Sequence, residues 1–443
     1  MHYHLIGISG IGMSALAKLL LEKGFSVSGS DIKENEETKV LRSLGAKITI
    51  RHNEDTIKPG MVVAFSTAIP SHNVEMLAAK KINLPIYHRS ILLQKLLEDK
   101  KSLCVAGAHG KTSTSALLAS IFQMHDQGVS FSIGGVIRHL NTNSCFGNGE
   151  VAILEADESD GSFLNTNPDS AIITNTDPDH LYFWKTESSL KAAYKAFAAK
   201  VICKENLFLC DEDPFLNRMD KKATRYGFSK KACARILDFG QEEEFSTFTL
   251  ALDGAIYKDF SIMQLGRHQV LNAAAAISLS LRYGVSEDAI RDALLVYKGV
   301  SRRLECLSTK PGTIIYDDYA HHPKEVFETL RALKKAHPKR RIVCVFQPHR
   351  YTRLKEHFTE FSYAFSHASY CIVTKVFAAG EKEIEKVNEN TLADQIKGPV
   401  TIATEDIETS LNNVLKKEDL LVFLGAGDIS KTARAFAKNW EAS

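Results

Sequence analysis

The eight cysteines of this 443-residue chain form no Cys-x-x-Cys pair. They are scattered, at Cys104, Cys145, Cys203, Cys210, Cys233, Cys306, Cys344 and Cys371, and several lie inside apolar runs. That spacing argues against a zinc ribbon and a disulfide framework, and implies reduced, buried thiols of a cytoplasmic protein. No apolar run approaches bilayer length, and the first residues carry no basic flank followed by a long apolar region. Neither a transmembrane helix nor a signal peptide is expected. A charge excess is missing too: 55 Lys and Arg face 53 Asp and Glu, a formal net charge of +2. No nucleic-acid or membrane partner is therefore expected, and small-molecule substrates are the default. No repeat or low-complexity segment is evident, and the length calls for two or three domains.

What the chain does have is a series of short apolar runs, each ending in glycine or charge. The run 103–106 ends in Gly107-Ala108-His109-Gly110-Lys111-Thr112-Ser113, with a helix expected over 113–124. Strand, glycine turn, Lys-Thr and helix is the layout of a phosphate cradle. Backbone N–H groups and the helix N-terminus face the anion, Lys111 reaches the terminal phosphates, and the Thr112 hydroxyl holds Mg²⁺. The general motif has glycine where this chain has Val105. Nearer the N-terminus, a strand over 4–8 meets Gly7, Ser9, Gly10 and Gly12, a helix follows over 16–21, and a second strand over 25–30 ends at Asp31. This is the βαβ layout of a dinucleotide site, with Ser9 in place of the first fingerprint glycine. Three readings stay open here: a nicotinamide cofactor, the pyrophosphate of another nucleotide, or a close strand–helix contact without ligand. Strands over 47–50 and 61–65 and helices over 74–79 and 90–97 continue the alternation. The charged run 98–101 reads as a linker that closes a first domain at 1–98.

The second domain, 99–298, carries two acidic clusters. The buried run 151–154 leads into Glu155-Ala156-Asp157-Glu158-Ser159-Asp160, and the run 170–174 into Asn175-Thr176-Asp177-Pro178-Asp179-His180. Both follow strands, so both belong at the sheet edge that carries Lys111. Crowded carboxylates there call for a cation, and Mg²⁺ held by Thr112, Glu155 and His180 is the natural reading. The other reading, caps and solvated loop residues, suits Asp160 and Asp179. The polar stretch 266–272, with Gln269 and Asn272, precedes an alanine-rich helix over 273–281 and reads as a nucleotide contact. The third domain, 299–443, opens on Arg302-Arg303. Its strand over 312–316 ends in Asp317-Asp318-Tyr319-Ala320-His321-His322-Pro323, and the strand over 341–346 in Gln347-Pro348-His349-Arg350-Tyr351-Thr352-Arg353. Strands over 369–376 and 420–424 close this sheet. The expected class is α/β in three domains: N-terminal Rossmann-like, central P-loop ATPase-like with a mostly parallel sheet, and C-terminal Rossmann-like.

In this order, the stretches 7–14, 66–70, 107–112, 155–160, 175–180, 266–272, 302–303, 316–323, 347–353 and 425–429 resemble the Mur ligases across essentially the whole chain. The short Gly-x-x-Gly-Lys-Thr form in that family accounts for Val105. Three positions depart from the family pattern: Ser9 for glycine, Ala108 for threonine and Gln269 for asparagine. The runs 155–160, 177–180 and 316–323 look like the branch that joins L-alanine to UDP-N-acetylmuramate. The resemblance implies ATP and Mg²⁺ as cofactors and activation of the lactyl carboxylate as an acyl phosphate. It implies that residues 107–113, with Gln269, Asn272, Arg302, Arg303 and Asp318, bind ATP, Asp318 at the ribose. Thr112, Glu155 and His180 would be metal ligands, and His109 would face the acceptor side of the γ-phosphate. Gly7, Ser9, Gly10, Asp31 and Ser66 would bind the UDP part. Tyr319 and His321 would stand near the amine, His321 as candidate base, and Arg350 and Arg353 would bind the alanine carboxylate. A monomer or homodimer is expected.

Three rivals remain. A nicotinamide dehydrogenase fits Gly10, Gly12 and Asp31 but leaves Lys111 and the acidic clusters without a role. A P-loop switch or transport ATPase would hydrolyse ATP without either substrate. The recycling ligase of the same family adds a preformed tripeptide and shares the phosphate loop.

Overall fold

Three sheets, each fed by helices that return the chain to its starting edge, make up this computed structural model, which describes residues 1–126, 128–310, 312–403 and 407–442. The first sheet holds β1 (His2–Ile6), β2 (Ser26–Asp31), β3 (Lys47–Ile50), β4 (Met61–Phe65) and β5 (Ile86–His88) in the order β3-β2-β1-β4-β5. Every pairing is parallel. The order reverses at β1, and the crevice at the carboxyl end of such a switch point is where open α/β sheets bind ligands. The turn after β1, carrying Gly7, Ser9 and Gly10, and the loop after β4, carrying Ser66, both open there.

The second sheet contains β6 (Lys101–Ala106), β7 (Ser130–Ile137), β8 (Thr142–Cys145), β9 (Val151–Glu155), β10 (Ser170–Ile173), β11 (Leu207–Cys210), β12 (Thr224–Gly227), β13 (Ala234–Gln241), β14 (Ser246–Leu252) and β15 (Ala255–Ile262). Its order is β15-β14-β13-β12-β11-β10-β6-β9-β7-β8. Strand β6 lies between β10 and β9 and is parallel to both. The phosphate loop and the two acidic clusters therefore leave the sheet side by side. Cys104 is fully buried in β6, and burial pushes its thiol up to about 12, as befits an inert core residue.

The third sheet holds β16 (Glu305–Ser308), β17 (Ile314–Asp318), β18 (Ile342–Phe346), β19 (Tyr370–Val373), β20 (Val400–Ile402) and β21 (Leu420–Leu424), ordered β16-β17-β21-β18-β19-β20. Only β16 pairs antiparallel. Strands β18 and β21 are buried along their whole length, as a doubly covered parallel sheet requires.

The chain forms two compact units: Met1–Ile236 with Ala251–Ala255 and Asn272–Tyr297, and Leu237–Leu250 with Ile256–Leu271 and Lys298–Ser443. The first sheet and the core of the second share one unit. Buried Lys18 joins them, its Nζ donating to Asn143 Oδ1 at 2.9 Å and pairing with Glu37 at 2.9 Å, while Asn143 Nδ2 donates to Ile11 O at 3.1 Å. Among the described residues no helix is long and apolar enough to cross a membrane.

Candidate active site

In the first unit the phosphate loop is built on two glycines that nothing else could replace. Gly107 has φ +132, and a Cβ there would come 2.1 Å from Thr174 Oγ1. Gly110 has φ +81 and caps the helix Lys111–His125, and a Cβ there would come 2.7 Å from Asn272 Oδ1. Both left-handed conformations are cheap only for glycine. The loop is tied to the neighbouring strand end: His109 N donates to Asn175 Oδ1 at 3.1 Å, and Asn175 Nδ2 donates to His109 O at 2.9 Å. His109 Nε2 stands 3.7 Å from Asp177. Ser113, in the first turn of the helix, accepts from Tyr297 Oη at 3.3 Å.

Lys111 and Thr112 are the first two residues of that helix, so both side chains lie at its positive end. Lys111 Nζ pairs with Glu158 at 2.7 Å and donates to Gly107 O at 2.5 Å and Ala108 O at 3.2 Å. Burial works against its charge, but Glu158, Asp157 and Glu155 outweigh burial and hold its pKa above the ordinary lysine value. Glu158 is almost wholly buried. Burial, with Asp157 beside it, pushes its carboxyl up to about 7 against the pull of Lys111. Sequence reasoning named Glu158 only as one acid of a cluster; its burial against Lys111 was not legible there. Thr112 Oγ1 donates to Glu155 Oε1 at 3.0 Å, and Gly134 N holds Glu155 Oε2 at 2.8 Å. Thr112 and Glu155 thus meet as expected. His180 instead lies 3.9 Å from Glu158 and 3.6 Å from Asp179. Among the described residues no group of three or more His, Cys, Asp or Glu side chains is set to hold a metal. A hydroxyl beside a carboxylate is nonetheless the oxygen-donor chemistry Mg²⁺ takes.

At the first glycine turn, Ser9 does something glycine could not. Its Oγ donates to Asp31 Oδ2 at 2.6 Å and its N–H to the same oxygen at 2.9 Å. Asp31 therefore pins the turn, with Gly7 N donating to Ser30 O at 2.8 Å. Gly10 caps the helix Ile11–Glu22. Arg89, which sequence reasoning passed over, lies over this helix start: a Cβ on Gly12 would touch its guanidinium at 3.0 Å, and the same group pairs with Asp157 at 3.4 Å. The only signal was a polar His-Arg-Ser following a strand. Half-buried Ser66 accepts from Ile69 N at 2.9 Å, and its neighbour Thr67 donates to Asp160 at 2.5 Å.

The second unit gathers the third sheet's polar loops. Arg302, at φ +62, donates to Gly425 O at 2.8 Å and Gly427 O at 2.9 Å. Arg302 and Arg303 each lie 4.7 Å from the Tyr319 ring centre, a double cation–π contact. Asp318 is buried, and its oxygens accept from Leu304 N at 2.5 Å, Ala320 N at 2.8 Å and Thr329 Oγ1 at 3.4 Å. Burial pushes its carboxyl up to about 6, opposed by Arg303. The expected ribose contact would have to share an oxygen with one of those bonds. His321 Nδ1 lies 2.9 Å from Tyr319 O. A carbonyl only accepts, so Nδ1 carries the proton and Nε2 is the basic nitrogen. His321 packs edge-on to His349, a residue unassigned in the sequence reading. His349 is stacked on Phe377, and burial with nearby His321, Arg353 and Arg350 lowers its pKa to about 3. As a neutral ring it accepts from Arg353 Nη1 at 3.2 Å, which orients that buried arginine. Arg350, at φ +68, pairs with Glu381 at 3.6 Å. Gln269 is buried in this unit and its N–H donates to Gly266 O, while Asn272 belongs to the first unit, against Gly110.

This geometry has counterparts among known proteins. The family model "Mur ligase family, catalytic domain" matches residues 2–101, "Mur ligase middle domain" residues 105–280, and "Mur ligase, glutamate ligase domain" residues 302–427. The chain belongs to the Mur ligase family. A Mur ligase relative named UDP-N-acetylmuramate–L-alanine ligase, from Carboxydothermus hydrogenoformans, is 37% identical over 441 residues, covering 97% of this chain and 94% of that protein. A second of the same name, from Protochlamydia amoebophila, is 37% identical over 98% of this chain and 96% of its own length. The crystal structure of UDP-N-acetylmuramate-alanine ligase MurC from Thermotoga maritima superposes with a TM-score of 0.84 at 26% identity, over 100% of this chain and 99% of that one.

Proposed function

We propose that the protein joins L-alanine to the lactyl carboxylate of UDP-N-acetylmuramate at the expense of ATP, releasing ADP and phosphate, in peptidoglycan synthesis. Support comes above all from Lys111 and Thr112 at a helix N-terminus with Glu158 and Glu155 in contact, within a chain that matches two ligases of that name along nearly its whole length. In this reading the domains are 1–98 for the UDP substrate, 99–298 for ATP and 299–443 for the amino acid. Reactions fed by ATP and a UDP-sugar belong in the cytoplasm.

A carboxylate is inert to amines, so one of its oxygens must leave as something better than oxide. The lactyl carboxylate attacks the γ-phosphorus and ADP departs. The free amine of L-alanine then adds to the acyl carbon, and the tetrahedral intermediate collapses with loss of phosphate. The loop 107–113 would cradle the phosphates, with Lys111 leaving Glu158 to meet the γ-phosphate and His109 facing the acceptor side. Thr112, Glu155 and His180 would hold Mg²⁺, which when bound neutralises charge on the phosphate oxygens. Gly7, Ser9, Gly10, Asp31, Ser66 and Arg89 would hold the UDP part in the same unit. In the other unit Gln269 would serve the adenine, Arg302 and Arg303 phosphate, and Arg350 and Arg353 the alanine carboxylate. His321 Nε2 would take the proton that the amine sheds, beside Tyr319.

Isotope transfer tests the chemistry directly. With both lactyl carboxylate oxygens labelled by ¹⁸O, one label is expected in each phosphate released. Unlabelled phosphate would rule out the acyl phosphate.

A further inference from the structure

Behind the first glycine turn lies a buried carboxylate that the mechanism does not use. Glu75 is the second residue of the helix Val74–Lys81 and is fully buried. Its Oε1 accepts from Asn53 N at 3.0 Å and Thr56 Oγ1 at 3.0 Å. Its Oε2 accepts from Ser30 Oγ at 2.5 Å, with His52 Nδ1 at 3.4 Å and His4 Nε2 at 3.5 Å. One side chain thus ties together β1, the end of β2, the segment after β3 and a helix start. Packing alone would hold these elements with apolar residues at lower desolvation cost. Directed bonds additionally fix where each backbone points.

What they fix adjoins the substrate. The Ser30 side chain reaches Glu75 while its carbonyl accepts from Gly7 N at 2.8 Å and Ile8 N at 3.1 Å. The next residue, Asp31, holds Ser9 through its side chain and accepts from Arg51 N at 2.6 Å through its carbonyl. Arg51 has φ +77, a conformation costly for a residue with a side chain, so bonds on both sides must keep it there. Ile32, Arg51, His52, Pro70, His72, Asn73 and Val74 line an open pocket of about 420 Å³. Three of these wall residues, Ile32, Arg51 and His52, are themselves held by Asp31 or Glu75.

We infer that Glu75 is a positioning residue for the UDP-linked substrate: through Ser30 and the segment 51–56 its carboxylate sets both the glycine turn and the wall of the adjoining nucleoside pocket. This rests on the reading of the first sheet as the UDP site. The hydrogen bonds from Ser30 and Asn53 and the nearby His4 ring outweigh burial and keep the carboxyl ionised, lowered to about 2, so it acts as an acceptor throughout the working range.

Glu75→Gln and Ser30→Ala test it, with steady-state kinetics for all three substrates and calorimetric titration of UMP into wild type and variants. Expected is a five- to tenfold rise in KM for UDP-N-acetylmuramate and a matching loss of UMP affinity, the scale of one or two lost hydrogen bonds. KM for ATP and L-alanine and kcat should stay within about twofold of wild type. Should Glu75→Gln fail to fold, Ser30→Ala, which removes the bonds from its hydroxyl to Glu75 and His52, carries the same readouts. Unchanged UMP affinity in folded variants, or an equal loss across all kinetic constants, overturns the inference. Wild type that binds no UMP and turns over no UDP-N-acetylmuramate overturns the functional reading instead.

Discussion

Lys111 carries its charge into a place that disfavours charge and is held there by Glu158, its own loop carbonyls and two further carboxylates. In the proposed reaction this arrangement would store an ammonium at the helix start until phosphate oxygens replace Glu158. Lys111→Ala is expected to cut kcat by about a thousandfold or more, the scale of losing a preorganised charge. UMP affinity should stay within about twofold, because Lys111 has no contact with the turn at Gly7–Gly10. Calorimetry on the folded variant checks the second half. The paired groups here were legible one by one, as Lys-Thr after glycine and as acids after a strand. That Glu158 and not Glu155 meets Lys111, that Asp318 serves the backbone, and that Ser9 braces Asp31 depend on distances no sequence spacing fixes. Glu75 gave no signal at all, being one acid at a helix start. Its lowered pKa, about 2 against an ordinary 4.5, makes its contribution to stability full above pH 4.5 and lost as pH falls through 2. The urea-unfolding gap between wild type and Glu75→Gln is expected to narrow by roughly 2 kcal/mol between pH 6 and pH 3.

At the scale of elements, strands buried on both faces were readable as continuous apolar runs: β4 and β21 lie where the sequence put them, and so does the mostly exposed β3. Helix starts were read late. The helix expected over 113–124 begins at Lys111, that over 16–21 at Ile11, and that over 273–281 at Arg267. In each case residues directly after a glycine join the first turn, and at Lys111 and Arg267 they are polar, since orphan N–H groups there need no apolar partner. Strands β5, β7, β8, β12, β13, β15, β16 and β20 were missed. Ser, Gly and Thr dilute β7 and β8, and β13 and β15 alternate charge with apolar residues. The segment read as a linker over 98–101 already starts β6 at Lys101. Gly110 is the sharpest test of an element boundary. Gly110→Ala meets both the φ penalty and Asn272, and is expected to lower stability by about 1–3 kcal/mol. Adding Asn272→Ala should restore part of that loss, since contacting sites couple. Thermal melting of the single and double variants measures the coupling, and strict additivity would contradict the contact.

At the scale of the whole molecule, three α/β segments were foreseeable from the alternation of apolar runs and polar loops, and three sheets follow. Their grouping was not foreseeable. The first sheet and the core of the second share one unit through Lys18, Asn143, Arg89 and Asp157, whose pairing no sequence spacing shows. The loop 107–113 and the turn 7–10, proposed for ATP and UDP, therefore sit on one body, while the arginines and histidines after β17 and β18 sit on the other. ATP consumption should accordingly need both remaining substrates: phosphate release from ATP alone, or with UDP-N-acetylmuramate but no amino acid, is expected below about a hundredth of the complete rate, the cost of lost positioning. The amine that meets the acyl phosphate sets the product. Comparing L-alanine, glycine, L-serine and the preformed tripeptide as acceptors, with the amide product quantified against ADP, is the direct measurement. L-alanine is expected to give one amide per ADP, whereas turnover with the tripeptide only would contradict the account.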